Sequence, residues 1–195
     1  MNYLKLRKIK RLYFPYQELS TVLNITNRSA KVFAARYVKK GYLLRLRRNF
    51  YILKERWDTL NLEERLIIAN IIEVPSYISL MTALGYHGVT TQVQRDFVES
   101  ICIQRTKEIE IEKSVFNYTK INKDLYFGFI KEKGFFIAEP EKALLDTIYL
   151  TSINRYKFDL TSIDLEKIDK NKIKTYINKY PDKTREYWRE HVRSV

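Results

Sequence analysis

The sequence of 195 residues is poor in several residue types that particular protein classes need. It has one cysteine, Cys102, which excludes an intrachain disulfide and a multi-cysteine zinc site. Its five glycines form no phosphate-binding loop, which argues against an enzyme that cradles a nucleotide in this way. No apolar run approaches the roughly 20 residues of a transmembrane helix. The basic N-terminus lacks the apolar core of a secretory signal, so we expect a cytoplasmic protein.

Side chains that could support catalysis are also few, and each has an ordinary structural explanation. Glu139 and Glu141 lie at a predicted helix start, where the helix dipole favours carboxylates. His87 lies at a predicted helix end, where capping or packing is the commoner role. No nucleophile elbow and no paired metal-ligand spacing is present. The sequence therefore predicts no enzyme, no catalytic residue, no metal site and no cofactor, although the set of candidates to be checked is Glu139, Glu141, Asp146, His87, His191 and Cys102.

What the sequence has in excess is positive charge, and that charge lies at one end. Residues 1–56 contain 15 Lys+Arg and only two acids, Glu18 and Glu55, whereas residues 57–195 contain 21 of each sign. The net charge of +13 therefore belongs to the first segment. This division predicts a polyanion-binding domain, residues 1–56, joined to a neutral domain, residues 57–195. A lysine-rich proteome is the alternative explanation, but it should also bias residues 57–195.

The basic segment predicts three helices. Amphipathic spacing favours the first over residues 2–12. Pro15 can open the second, which Asn24 ends. Thr26 is a predicted N-cap of the third, which runs from about residue 27 to 40 and ends at Gly41.

After this third helix the period changes to that of strands. Residues 42–53 predict two short strands around a turn at 47–49. Three helices, the last two joined by a tight turn, followed by a β-hairpin, are typical of a winged helix-turn-helix.

A recognition helix enters the major groove by its N-terminal half, so its outward side chains are the expected DNA contacts. Arginine and asparagine can read base edges, whereas lysine and serine more often hold phosphate. Arginines at the hairpin tip suit the phosphate backbone or a narrow minor groove. The predicted partner is double-stranded DNA, and the predicted contacts are Asn27, Arg28, Ser29, Lys31, Arg36 and Lys39 on the helix and Arg45, Arg47 and Arg48 on the hairpin. The alternatives are a solvated helix face with a charged edge strand, and RNA, for which no aromatic stacking platform is evident.

The neutral segment predicts a mixed α/β domain, which makes the whole fold α+β. Helical patterns cover residues 62–72, 77–86, about 140–151, 164–180 and 183–192. Strand patterns cover residues 97–103, 108–112, 114–121, 126–130 and 134–138.

Three blocks of the sequence carry a resemblance to a known family. They are residues 25–28 (ITNR) with VKKGYLLRLRRNFYIL (38–53), PSYISLMTALGYHGV (75–89), and YFGF (126–129) with FIAEPEKALLDTIYL (136–150). In this order they resemble the AbiEi family of antitoxins, from type IV toxin–antitoxin and phage abortive-infection systems. The resemblance covers most of residues 15–150. Asn49 stands where a glycine is usual in the wing turn, and the last 45 residues resemble nothing that can be quoted.

The resemblance implies a division of labour between the two domains. The N-terminal domain would bind repeats in its own promoter and repress the operon, and the C-terminal domain would counteract a nucleotidyltransferase-like toxin. In classical type IV systems the two proteins form no stable complex, so direct contact is not assumed. Two other readings stay open at this point. One is a general winged-helix regulator whose C-terminal domain senses a ligand or dimerises, and the other is a nucleic-acid-modifying enzyme targeted by a winged helix.

Overall fold

A computed structural model describes residues 3–92 and 95–192 of the chain. The fold is α+β, and its internal contacts divide it into unit 1, residues 1–72, and unit 2, residues 73–195. The sequence analysis placed the boundary after residue 56. The division falls later because the helix Leu62–Ile72 packs on the first strand of unit 1. In the described ranges, every helix is too short or too polar to cross a membrane.

The difference in net charge between the two parts of the chain remains when the boundary is moved to residue 72. Unit 1 contains 16 basic and five acidic residues, a net of +11, whereas unit 2 contains 20 and 18, a net of +2. The added residues, 57–72, contribute three acids and one arginine, which lowers the excess only slightly. Unit 1 therefore carries most of the excess positive charge of the chain.

Unit 1 consists of short helices around a two-stranded antiparallel hairpin. Its elements are α1 (Tyr3–Leu6), α2 (Tyr16–Leu23), α3 (Asn27–Lys39), β1 (Leu43–Arg47), β2 (Phe50–Leu53), α4 (Lys54–Trp57) and α5 (Leu62–Ile72). Buried apolar side chains of its helices, strands and connecting segments form one core, which contains Leu6, Ile9, Phe14, Leu19, Leu23, Ala30, Ala34, Leu43 and Leu53.

The prediction of a helix over residues 2–12 was wrong in its extent, and residue 2 lies outside the described residues. Helix α1 ends at Leu6, because the chain then turns to bring Phe14 beside Tyr51 of β2. The backbone N–H of each of these two residues donates to the carbonyl of the other at 2.9 Å. A helix continued to residue 12 would leave Phe14 unable to reach this partner.

The local signals for the second and third helices are confirmed. Asn24 adopts the left-handed conformation (φ 52°) that ends α2. The Thr26 hydroxyl oxygen accepts the Ser29 N–H, which caps α3. Gly41 and Asn49 have positive φ, at the end of α3 and in the hairpin turn. The backbone conformation at each of these positions depends on residues close in sequence, so it could be predicted from the sequence alone.

Unit 2 is a six-stranded mixed sheet with helices packed around α7. Its strands are β3 (Ser76–Ile78), β4 (Phe97–Cys102), β5 (Lys107–Ile111), β6 (Ser114–Lys120), β7 (Phe129–Glu132) and β8 (Phe135–Ala138), in the order β5-β6-β4-β3-β8-β7. The helices are α6 (Leu80–Tyr86), α7 (Pro140–Ser152), α8 (Lys170–Ile177) and α9 (Asp182–Tyr187).

The prediction of a helix over residues 77–86 was wrong at its start. Residues 76–78 form β3, which pairs antiparallel with β4 and parallel with β8, and α6 begins only at Leu80. Tyr77 stacks on Phe129 of β7 with centroids 4.6 Å apart. Long-range pairing and packing therefore override the local helical pattern at these positions.

A buried ion pair lies at the centre of unit 2. Lys142 and Asp146, one turn apart on α7, are in contact and are both fully buried. Burial lowers the pKa of Lys142, although the adjacent Asp146 carboxylate opposes this shift. The other Asp146 oxygen accepts hydroxyl hydrogen bonds from Tyr77 and Ser79, both at 2.9 Å. Such a pair is tolerable in the interior only because its hydrogen-bonding capacity is met in this way.

The C-terminal segment, residues 153–192, supplies a further hydroxyl group to this network. The Tyr180 hydroxyl lies 2.7 Å from the Lys142 ammonium and donates to Asp146 at 2.9 Å. Further along, the Tyr176 hydroxyl donates to Glu139 at 2.5 Å, and Lys172 pairs with the same carboxylate. The segment that resembled no family is thus held along α7 by polar contacts.

We predict that the Lys142–Asp146 pair is strongly coupled. Lys142→Met should lower the free energy of unfolding of unit 2 by about 3–5 kcal/mol, since it leaves a buried carboxylate without its counter-ion. Adding Asp146→Asn should recover part of this loss, because the amide oxygen can still accept from Tyr77. Urea unfolding of the full chain with Trp57→Phe, followed by Trp188 fluorescence, isolates unit 2.

The comparison is a double-mutant cycle of the two single variants and the double variant. A coupling free energy of about 1–3 kcal/mol is expected. Strict additivity of the two substitutions would contradict a direct interaction between them.

Candidate nucleic-acid interface

The N-terminus of α3 is stabilised by its N-cap residue, Thr26. Thr26 accepts the Ser29 N–H at 3.2 Å, and its own hydroxyl donates to the Ser29 Oγ at 3.0 Å. Ser29 is exposed as predicted, but its hydroxyl is already engaged in the cap. Asn27 and Arg28, which lie beside it in the first turn, are exposed.

The remaining cations of α3 are exposed on the side away from the core. Ala30 and Ala34 are fully buried, whereas Lys31, Arg36 and Lys39 are exposed. The Lys31 ammonium lies 4.9 Å from the centroid of the Tyr16 ring, a cation–π contact with α2. The structure thus brings the predicted helix residues together on one element, with Lys31 held toward α2.

We define the outward face of α3 as Arg28, Val32, Ala35, Arg36 and Lys39, which are exposed and recur at helical spacing. The sequence analysis selected its charged members and missed Val32 and Ala35. Val32 has an exposed fraction of 49%. The signal that could have found it was its position four residues after Arg28 and four before Arg36.

The three hairpin arginines are not equivalent. Arg48 is exposed in the turn, whereas the Arg47 guanidinium lies over the Phe50 ring, 4.6 Å from its centroid, and is half-buried. The Arg45 Nε donates to the Arg47 carbonyl at 3.4 Å. The pairing register of β1 and β2 shifts between Arg45 and Arg47, so a bulge turns the tip arginines relative to the rest of β1.

The turn between the two strands is tied to the start of α2 by Asn49. Its Oδ1 accepts the Tyr16 N–H at 3.2 Å, and its Nδ2 donates to the Gln17 Oε1 at 3.3 Å. The sequence analysis explained Asn49 only by its tolerance of positive φ. The side-chain contacts add that the hairpin tip is held against the helix that precedes α3.

The two acids of residues 1–56 face arginines that are not among the predicted DNA contacts. Glu55 pairs with Arg7 at 2.9 Å, and Glu18 lies 3.7 Å from Arg11, so both acids of residues 1–56 face arginines of the N-terminal segment. Within residues 3–92 and 95–192, no carboxylate forms an ion pair with the predicted DNA contacts of α3 or the hairpin. Their charges are therefore available to an external anion.

The titratable candidates of unit 2 have structural partners. Glu139 precedes α7, and hydrogen bonds from Tyr176 and Lys172 outweigh its burial and lower its pKa. Glu141 accepts the Asp169 N–H at 3.0 Å. The His87 Nε2 lies 2.8 Å from the Ala138 carbonyl oxygen. Cys102 is buried, which raises the pKa of its thiol.

The other two candidates differ in exposure. Asp146 belongs to the buried network, whereas His191 is exposed and stacks on Tyr187 with centroids 4.3 Å apart. In the part of the chain that the structure describes, no group of three His, Cys, Asp or Glu residues is placed to hold a metal ion.

We predict that the Asn49 side chain stabilises unit 1 beyond its effect on the turn. Asn49→Gly keeps positive φ accessible but loses the contacts with Tyr16 and Gln17, so it should cost about 1 kcal/mol. Asn49→Ala adds the cost of left-handed backbone and should lose about 2 kcal/mol in total. Urea unfolding of the full chain with Trp188→Phe, followed by Trp57 fluorescence, measures both.

Asn24→Gly is the matched control, because Asn24 has the same backbone conformation and its exposed side chain makes no hydrogen bond in the described structure. It should change the free energy of unfolding by no more than about 0.5 kcal/mol. Equal effects of the two glycine substitutions would show that the Asn49 side chain contributes nothing.

Comparison with known proteins gives no family to which the chain can be assigned, because no protein-family model and no curated protein matches it.

Proposed function

We propose that unit 1 is a winged helix-turn-helix that binds double-stranded DNA, with α3 in the major groove and the β1–β2 turn on the adjacent backbone or minor groove. The observation that carries the proposal is that the predicted α3 and hairpin cations, all exposed except the half-buried Arg47, have no carboxylate partners in the described structure. Both acids of residues 1–56 face arginines elsewhere in unit 1.

The connections between elements support this assignment. A short turn, from Asn24 to Thr26, joins α2 to α3, and the hairpin follows α3 after Gly41. The Asn49 side chain and the Phe14–Tyr51 backbone pair fix the hairpin to the segment around α2. A helix and a wing held in one unit can contact neighbouring grooves together.

We further propose that the protein represses its own operon and acts as an antitoxin against a nucleotidyltransferase-like toxin. This part rests on the resemblance to the AbiEi family, whose two blocks outside unit 1 are residues 75–89 and residues 126–129 with 136–150. In unit 2 these two blocks are neighbours, since β3 pairs with β8 and α6 packs on α7. The Tyr77 hydroxyl also donates to Asp146 across the two blocks.

The hairpin should contribute to DNA affinity mainly through phosphate. We predict that Arg47→Ala with Arg48→Ala weakens binding of the full chain to a duplex from its own promoter. It should also reduce the slope of log Kd against log salt concentration by about two, since each phosphate contact releases about one counterion. Fluorescence anisotropy at several salt concentrations measures the slope.

The control is Arg95→Ala with Arg105→Ala, which removes two exposed arginines from unit 2. It lowers the net charge equally and should leave the slope unchanged. If the hairpin variant kept the wild-type slope, the hairpin would not be a phosphate contact. If the full chain bound no duplex with a measurable salt slope, the DNA-binding proposal itself would fail.

The antitoxin role predicts rescue from toxicity that does not depend on DNA binding. The full chain, expressed from a heterologous promoter, should restore growth of cells that express a nucleotidyltransferase-like toxin from the neighbouring gene. The Arg47→Ala, Arg48→Ala variant should rescue equally well, whereas Lys142→Met, which weakens unit 2, should rescue less. Colony counts with matched protein levels provide the measurement.

A full chain that fails to restore growth would contradict the antitoxin proposal and leave a general regulator. A small molecule that changes operator affinity would favour the ligand-sensing alternative for unit 2.

A further inference from the structure

We propose that Val32 reads the methyl group of thymine in the major groove, so that the recognition sequence contains a thymine that α3 distinguishes by apolar contact. The inference rests on the proposed DNA-binding function of unit 1. It adds a specificity-determining residue and names the chemical group that this residue recognises.

Val32 is the apolar centre of an otherwise mostly cationic surface. It lies one turn after Arg28 and one turn before Arg36, and its exposed fraction is 49%. Ala35, three residues later, is also exposed, so a small apolar strip separates the arginines of the outward face.

The core of unit 1 does not account for the choice of valine at this position. The buried side of α3 is formed by Ala30 and Ala34, with Phe33 and Tyr37 partly buried against the core. Valine is also a weaker helix former than alanine, lysine or arginine, because its branched Cβ restricts χ1. An exposed valine in mid-helix therefore contributes little to stability relative to these residues.

Single exposed apolar residues are common on protein surfaces, so exposure alone would carry no weight. The exposure of Val32 is informative because of its position: the outward face of α3 is the surface that the proposal places against base edges. There the C5-methyl group of thymine is the characteristic apolar feature of the base pairs. The restricted χ1 of valine in a helix holds its two methyl groups in fixed positions, which suits recognition of one small group.

The spacing from Arg28 predicts where this thymine lies. Four residues of α-helix span about 6 Å, which corresponds to about two base-pair steps of 3.4 Å. If Arg28 contacts a guanine, the thymine read by Val32 should lie within about two base pairs of that guanine.

The test begins with the chain of 195 residues and a pool of randomised duplexes, from which the tightest-binding sequence is selected at fixed salt. Each thymine is then replaced in turn by deoxyuracil, which keeps the Watson–Crick edge and O4 but lacks the methyl group. For the wild-type chain, at least one replacement should weaken binding about fourfold, the effect of removing one buried methyl group. Fluorescence anisotropy measures Kd for each duplex.

Val32→Ala should abolish the difference between thymine and deoxyuracil at that position while leaving the salt slope unchanged. Val32→Thr, which replaces one methyl with a hydroxyl, should reduce the difference. The matched control is Val74→Ala in unit 2, where a valine of similar exposure, 53%, is shortened in the same way. It should keep the full wild-type difference, and thermal unfolding of all variants confirms that they remain folded.

The outcomes separate the two proposals. Selection of no preferred sequence, or binding without salt dependence, would overturn DNA reading by unit 1 and the Val32 inference with it. Normal selection and salt dependence, with every deoxyuracil replacement neutral, would overturn the Val32 inference alone. A thymine preference that persists unchanged in Val32→Ala would also overturn it, because another residue would then be the reader.

Discussion

The buried pair of Lys142 and Asp146 is the constraint on which unit 2 depends. Two charges inside a protein are tolerated only where their remaining hydrogen-bonding positions are occupied. Here the partners come from β3 through Tyr77, from the start of α6 through Ser79, and from the C-terminal segment through Tyr180. Displacing any of these parts would remove a hydrogen-bond partner from the buried pair. The ion pair thus makes the sheet, α7 and the C-terminal segment a single cooperative structure.

Elements that depend on neighbouring residues were predictable from the sequence, whereas long-range ones were not. Asn24, Thr26 and Gly41 set the ends of α2 and α3 because a cap or a left-handed residue acts within one turn. Residues 77 and 78 were predicted to begin a helix but belong to β3, since β4 and β8 pair with this strand on either side. The contacts of Asp146 with Tyr180 and Tyr77 join residues 34 and 69 positions apart. No local pattern encodes such distances, so the network was invisible in the sequence.

The positive charge of the candidate interface could be predicted from the sequence, but the contacts of its side chains could not. Periodicity placed the cations of α3 on its outer side, and the hairpin pattern placed arginines near a turn. The sequence could not show that Arg47 lies over Phe50, that Ser29 is engaged by its cap, or that Asn49 reaches α2. Val32 was overlooked because a search for DNA contacts selects polar residues. Apolar residues become informative only when their exposure is known.

The backbone pair of Phe14 and Tyr51 holds together the two ends of the segment between them. This affects which positions of unit 1 can change in sequence. The ends of residues 15–50 meet at one hydrogen-bonded pair, so α2, α3, β1 and the hairpin turn form a loop with fixed ends. Substitutions on the outer side of α3 alter what the loop presents without moving its ends. If unit 1 binds DNA as proposed, exposed positions of this loop could be exchanged to suit another operator while the rest of unit 1 keeps its sequence.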